Sequence, residues 1–534
     1  MRRPIKYLII TILVSLTFIA NAQEEKHDRD FRARLYEAYD YYKLGYYHLA
    51  LPLYEELYKT DSLDCEINFR LGVCRFMVLR DKTSLIPLFE YTKNDYIDAY
   101  FYLGRLYHLK VNLDQAVDYF LYYKNAELDR TYSNREVDYY IDQIMSAKKL
   151  IMHPENLLIS NLGEIINSSE PEYVPMITSD ESHLYYTARR EGSTGGMLDP
   201  YNEYFEDIYV SEKKQNGWSV PKNIGPPVNS ETHDACVALS SDGFRMLIYR
   251  TSEDLTGGDI YETVQTGGKW SEPVRLTSEV NSDEWLETSA CYTPDENTIY
   301  FSSNRPGGLG GKDLYRITRM PDGAWSKAKN LGSVINTQYD DDAPFIHPDG
   351  QTMYFSSRGH NSMGGYDIFK CTMMDNGWSA PENMGYPVNT VGDDIYFVMS
   401  ADGKHGYFSS DRMWGMGSTD LYLVDMSGTE KNYLVLQGTV TTNQPVYQKL
   451  PATITVIDNI TKELVGIYRT NEKTGKYTLV LLPRKFYKLF IEADGYHSYT
   501  DEIDLRDKLK MGDLFKNINM KKIQEIPVDT LNNE

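Results

Sequence analysis

The sequence predicts a multidomain chain, α then β: an N-terminal helical array, a five-bladed β-propeller (six blades being the alternative) and a C-terminal β-sandwich. Three observations carry this. Residues 30 to 150 hold almost no glycine or proline and are rich in Leu, Tyr and Ala. A unit of 52 to 54 residues then recurs, each copy with four short strand-like runs between turn signals. From residue 432 the strand-like runs continue without that repeat.

A chain of 534 residues is too long for one core. It opens MRRPIKYLIITILVSLTFIANAQEE, with a basic start, an apolar stretch from Tyr7 to Ile19 and the small-x-small site Ala20-Asn21-Ala22. This is the pattern of a cleaved secretory signal peptide over 1–22, too short to span a membrane as a helix. No later segment is long and apolar enough to span, so a soluble, exported chain is expected. The formal net charge is -22, and removal of Arg2, Arg3 and Lys6 with the leader takes it to about -25. Such a chain repels nucleic acid. The five cysteines are odd in number and scattered, which is no disulfide framework; Cys65 and Cys74 are the pair that could join.

Over 28–151 small residues recur twelve apart: Ala38 and Ala50, Gly72 and Ser84, Gly104 and Ala116. The first members step by 34 and 32 residues, and a small residue is expected where two helices approach closely. An amphipathic helix near Asn134 to Ile151 is expected as a cap. The array offers a concave face for a peptide or partner protein.

Over 158–428 the segment YFSSNRPGGLGGKDLYRI (300–317) has relatives at 247–262, 354–370 and 407–423, with a longer insertion in the copy from Leu184 to Val210. The repeat markers before the third strand are Asp207, Asp259, Asp313, Asp367 and Asp420. Four strands per unit, repeated, is the pattern of a propeller, because one small sheet cannot bury both faces alone. The leading NLG.IIN (Asn161 to Asn167) is expected to supply the outer strand of the last blade and close the ring. The glycine loop is not a phosphate loop: Lys312 is followed by Asp313 rather than Ser or Thr, and glycine is what the copies share.

Eight residues before each first-hairpin Asp stands a carboxylate: Glu172, Asp234, Glu287, Asp341 and Asp394. They start the strand beside the central channel. As an acidic ring at the propeller mouth they are candidate binding residues for a cation or basic peptide. As caps they would bond backbone amides within each blade. No HExxH, no G-x-S-x-G and no serine or cysteine with a base beside it points to catalysis, metal or cofactor. Ser302-Ser303, Ser356-Ser357 and Ser409-Ser410 recur once per blade, unlike a nucleophile.

Several resemblances sharpen this reading. LGYYHLALPLYEELYKTDS and LKVNLDQAVDYFLYYKNAE look like tetratricopeptide repeats, about three in number. SSDG (240–243), HPDG (347–350) and SADG (400–403), with YFSS and GG.D[IL][YF], resemble the PD40 family of WD40-like, TolB-related propellers. Over 432–522, Gly475-Lys476-Tyr477, Tyr487 and Gly495-Tyr496 resemble the carboxypeptidase regulatory-like, transthyretin-like sandwich; 523–534 is a polar tail expected to be disordered. The whole order resembles the Bacteroidetes envelope family that includes PorE of the type IX secretion system, without its C-terminal OmpA-like domain. That resemblance implies a non-enzymatic periplasmic scaffold or adaptor, peripheral to the outer membrane, binding envelope proteins of a secretion or gliding assembly, without peptidoglycan binding in cis. The alternatives are a propeller-mouth binding module for a cation, glycan or peptide, and a propeller-peptidase hydrolase, for which the remaining regions are too small.

Overall fold

The computed structural model describes residues 29–79, 81–196, 198–199, 203–507 and 512–523. The expected signal peptide (1–22) lies outside the described residues, as does the expected tail beyond Ile523. Among the described residues no helix is long and apolar enough to cross a membrane. The chain divides into two compact units at residues 144/145.

The first unit is built of helix pairs: α1 (29–43) and α2 (Tyr47–Thr60), α3 (Cys65–Val78) and α4 (Ile86–Thr92), α5 (Asp98–Leu109) and α6 (Leu113–Asn125). A long helix, α7 (Asn134–Met152), follows. Local signals set these limits. Asp64 caps α3 by accepting the Ile67 N–H at 2.9 Å. Ser133 and Glu136 exchange hydrogen bonds at the start of α7, Ser133 N to Glu136 Oε2 at 2.8 Å and Glu136 N to Ser133 Oγ at 3.3 Å. Glycine does what its spacing predicts at two crossings: a Cβ on Gly72 would lie 3.0 Å from the Phe89 ring, and one on Gly104 2.9 Å from the Phe120 ring. Ala38, Ala50 and Ala116 are fully buried. Ser84 departs from the expected pattern. It is exposed, because a 3-10 turn (Thr83–Leu85) delays α4, so Phe89 fills the crossing instead. The many tyrosines pack by their rings and find partners for their hydroxyls, as in the Tyr102–Tyr132 contact at 2.7 Å and the Tyr123 to Asp98 bond at 2.7 Å. Cys65 and Cys74 both sit on α3, about two and a half turns apart, too far to pair. All five cysteines are free thiols.

In the second unit, five antiparallel sheets follow one another. Their inner strands are Glu172–Ile177, Asp234–Leu239, Ala290–Tyr292, Asp341–Ile346 and Asp394–Met399. Each packs against the next and the fifth against the first, so the sheets form a closed ring of five blades. The outer strand of blade 5 is Leu158–Asn161, in register Leu158↔Asp425 to Asn161↔Tyr422. The six-blade alternative falls with that pairing.

Repeated side chains tie the blades together. The asparagine ending each repeat clamps one third-strand residue through both its N–H and C=O, as Asn229 does on Ile208 at 3.0 Å each and Asn167 on Leu421 at 2.9 and 3.0 Å. The repeated tryptophan packs on a tyrosine of the preceding blade: Trp270 on Tyr185, Trp378 on Tyr300, and Trp218 across the closing seam on Tyr407.

The last part of the chain is a two-sheet sandwich. Leu434–Thr442 centres one sheet, flanked by Gln448–Lys449, Lys476–Leu481 and two short parallel strands. Thr453–Asp458 and Phe486–Glu492 centre the other. The facing apolar residues, among them Leu436, Val440, Ile454, Val456, Leu479 and Leu489, make its core.

Candidate functional site

The five carboxylates expected as a ring are at most 1% exposed. Each accepts a backbone N–H from the loop just before it: Ser168 to Glu172 at 2.9 Å, Ser230 to Asp234 at 2.5 Å, Ser282 to Glu287 at 3.0 Å, Thr337 to Asp341 at 2.5 Å and Thr390 to Asp394 at 2.6 Å. Four are also gripped by an arginine from the neighbouring strand end: Arg190 on Glu172, Arg250 on Asp234, Arg305 on Glu287 and Arg412 on Asp394. The same arginines reach the carbonyls of Val228, Val280 and Val388 at 2.6 to 2.8 Å, and that of Ile166. These carboxylates therefore staple each blade to its incoming loop. The solvent-facing acidic ring is corrected to a set of buried struts, since a carboxylate already saturated by protein donors has no oxygen left for a ligand.

Asp341 is the exception. Gly359 stands where the arginine would be, and His360 Nε2 takes over the loop tether, 2.9 Å from the Ile335 carbonyl. Asp341 keeps only the Ser357 hydroxyl and the Thr337 N–H and hydroxyl, with no cation. Burial pushes its carboxyl up to about 7.

The repeat markers pin the glycine loops. Asp313 accepts Leu309 N at 2.7 Å, Gly310 N at 2.9 Å and Asn330 Nδ2 at 2.7 Å. Asp207, Asp367 and Asp420 do the same with Asn223, Asn383 and Asn161. In blade 2 Arg275 replaces the asparagine on Asp259, at 2.7 and 2.9 Å. The loop must be glycine for room: a Cβ on Gly310 would lie 2.0 Å from the Tyr339 carbonyl oxygen.

The end of the ring where the inner strands begin is its mouth, and a different set of residues gathers there. Lys312 Nζ is 2.8 Å from Asp342 and 2.9 Å from the Thr288 hydroxyl, joining blades 3 and 4. Arg358 is 3.1 Å from Asp393 and lies over the Tyr366 ring. Arg189 holds Asp199, Glu203 and Glu206 at 3.0, 2.6 and 2.9 Å, which anchors the blade 1 insertion; Tyr173 also donates to Glu206. Asp342 is buried, which by itself would raise its carboxyl, but Lys312 and the Ser289 and Ser302 hydroxyls outweigh burial and hold it below the ordinary range. Tyr396 stands among these groups. Burial, then the charges of Asp342, Glu206 and Asp393, push its phenol far up. Three carboxylates from three blades thus act on one phenol. Trp285 and Trp414 stand on loops at this same end, Trp414 86% exposed.

The inner strands are bent for this purpose. Val174, Ala343 and Tyr396 have φ of +50°, +53° and +61°, each inside a register shift of its strand. A bulge re-aims the side chains around it, and a β-branched residue such as Val174 in this region is a true outlier. Hydroxyls of the preceding blade hold freed N–H groups: Ser409 for Val174 at 3.1 Å, Ser289 for Ala343 at 3.0 Å. Of the two, Ser409 belongs to the serine pairs that recur in blades 3 to 5, and Ser289 stands just before the inner strand of blade 3.

Below the mouth the axis is narrow and apolar, lined by Val174, Met176, Cys291, Phe345, Phe397 and Met399 among others, with a cavity of about 60 Å³. The far end is covered. Asn471 bonds Asp180 at 2.9 Å, Arg469 reaches Asp242 at 3.3 Å, Ile467 N meets the Pro294 carbonyl at 3.4 Å, Tyr433 packs on His347, and Asp513 pairs with Lys404 at 3.2 Å. The sandwich and the segment leading into it therefore touch the first hairpin turn of every blade. Among the described residues no group of three or more His, Cys, Asp or Glu side chains is placed to hold a metal ion.

Sequence reading found the repeat and missed this mouth. Lys312, Asp342, Asp393 and Tyr396 are not repeated residues, and repetition was the signal being followed.

No family model and no curated protein matches the chain, so the tetratricopeptide, PD40 and PorE-type resemblances find no match there. Solved structures do match the propeller part. An α-L-arabinofuranosidase from Lactobacillus brevis is 13% identical, over 49% of this chain and 91% of its own, with a TM-score of 0.34. An endo-arabinase from Bacteroides thetaiotaomicron is 14% identical, over 52% and 99%, with a TM-score of 0.33. A further glycoside hydrolase is 10% identical, over 48% and 88%, with a TM-score of 0.36. At this distance the likeness speaks of fold alone. The non-enzymatic scaffold implied by the resemblance of the domain order is corrected here: the solved structures that match are named as glycoside hydrolases, and the expectation that the chain is no enzyme is not carried further.

Proposed function

We propose that the propeller mouth is a glycan-processing site. The observation that carries this reading is the set of charged pairs from three blades at the mouth, Arg189 with Glu206 at 2.9 Å, Lys312 with Asp342 at 2.8 Å and Arg358 with Asp393 at 3.1 Å, whose three acids also raise the Tyr396 phenol. Glycoside cleavage needs two carboxylates flanking the bond, one to protonate the leaving oxygen and one to serve the anomeric carbon, and it passes through a positively charged transition state. Glu206 and Asp393 are partly exposed and each keeps one oxygen for a ligand. Arg189 and Tyr173 take Oε1 of Glu206; the Tyr366 N–H and Arg358 take Oδ1 of Asp393, with Arg358 no nearer than 3.4 Å to Oδ2. Asp342, buried and held ionised by Lys312, supplies fixed negative charge. Trp285 and Trp414 offer faces for sugar rings.

The finer assignments belong to the same reading. We take the helix pairs as tetratricopeptide-like, on the spacing of Gly72 and Gly104 and the crossings they make. We take the blades as PD40-like, and the sandwich as transthyretin-like, a module that braces the propeller. Export to the periplasm rests on the leader pattern of 1–22.

The test is turnover of an oligosaccharide panel that includes arabinan fragments, read as new reducing ends. Release by the wild type, lost in Glu206→Gln and in Asp393→Asn with melting curves unchanged, is expected. A wild type that neither binds nor cleaves any member overturns the proposal.

A further inference from the structure

A second concave site lies away from the mouth. Blades 1 and 2 are parted by a crevice of about 680 Å³, within the range of about 300 to 1,000 Å³ typical of small-ligand sites. Its apolar wall is made by Tyr185, Val228 and Trp270, the two rings meeting edge to face at 6.1 Å. Lys214, Lys222 and Lys269 line it against a single acid, Glu212, in a chain of net charge -22. Lys214 is paired to Glu212 at 2.6 Å. Lys222 and Lys269 are exposed and have no carboxylate partner among the described residues. Two unpaired ammonium groups beside an aromatic wall, in a strongly acidic protein, concentrate an anion at this place.

We propose that this crevice binds an acidic sugar, a uronic acid unit of an oligosaccharide: the ring face against Tyr185 and Trp270, the carboxylate between Lys222 and Lys269. An acidic peptide is the competing occupant, and the sheet edges disfavour it. The outer strands that line the crevice, Lys222–Asn223 and Lys269–Trp270, are sheet edges only two residues long, too short for an extended peptide to join. Side chains line the space, and a compact ring bearing one carboxylate matches them.

The site stands whether or not the mouth acts on glycans, and the experiment separates the two. Calorimetric titration of the full chain would use three probes: a uronic acid trisaccharide, its carboxyl-reduced neutral analogue, and a hexapeptide of glutamate. The acidic trisaccharide is expected to bind, and the neutral analogue to bind at least about tenfold more weakly, the equivalent of one good ionic contact. Lys222→Gln combined with Lys269→Gln, both at exposed positions that the fold does not need, is expected to cost a similar factor. The same factor between the double lysine variant and its parent is expected when both also carry Asp393→Asn at the mouth. No binding of the trisaccharide, equal binding by the double lysine variant in either background, or tighter binding of the glutamate peptide would each overturn the assignment.

Discussion

Lys312 and Asp342 face each other across the seam between blades 3 and 4, nitrogen to oxygen 2.8 Å, with the carboxylate almost wholly buried. Breaking such a pair from one side leaves a buried charge alone, at a cost of about 3 kcal/mol. Lys312→Met should therefore lower stability by that order in urea denaturation. Lys312→Met with Asp342→Asn should recover most of the loss. A single variant as stable as the wild type would show that the pair does not hold the seam.

Asp341 gives a pH signature. Its carboxyl titrates near 7 in the folded chain against an ordinary value of 3.8. The folded state thus keeps a proton that the unfolded state has released. Between those two values stability falls as pH rises, by about 1.4 kcal/mol per unit. Asp341→Asn can keep the bonds to Thr337 and Ser357 and carries no charge. It should gain on the wild type steadily from pH 5 to pH 7. Parallel stability curves for the two proteins would refute this.

The ring is stitched at its closing seam by His405 of blade 5, whose Nδ1 is 2.8 Å from Glu181 of blade 1. The bond to Glu181 raises the imidazole above its ordinary range. This contribution is complete below the unfolded value of about 6.5 and is lost as pH climbs through the folded one. Thermal melts of wild type and His405→Gln should differ at pH 6, and the difference should shrink as pH rises. A difference that stays constant with pH would count against the seam contact.

In the helical unit, Gly104→Ala sets two effects against each other. Alanine is the better helix former by about 1 kcal/mol. Its methyl would meet the Phe120 ring at 2.9 Å, and overpacking costs about 1 to 3 kcal/mol. The variant should lose stability, and Phe120→Leu in the same chain should return part of it. A stabilised Gly104→Ala would mean the helices part easily.

What could be read from the sequence was whatever recurs. The five copies announced the blades, the marker aspartates before each third strand and the strand that closes the ring, because each copy must make the same contacts with its neighbour. The carboxylates of the expected ring were found for that reason and misread for the same one. A residue demanded by every blade serves the blade, and four of the five are consumed by arginines that also recur. The mouth was opaque because it is built from differences. Lys312 occurs once, Tyr396 lies in a bulge that no local pattern announces, and Asp342 and Asp393 look like ordinary neighbours of repeated residues. Ser84 departs from the spacing of twelve because a 3-10 turn holds it ahead of α4, and Phe89 of that helix comes to the crossing instead.

The strand Leu158–Asn161 bears on how the molecule is made. Its partner Tyr422 and the aspartate that Asn161 grips lie some 259 positions downstream. As the chain emerges N-terminus first, the first strand of the ring appears early and waits, one edge open, until nearly the whole ring has followed. Four blades can assemble as an incomplete arc, but the circle locks only on that last pairing. Such long-range closure is slow relative to local folding.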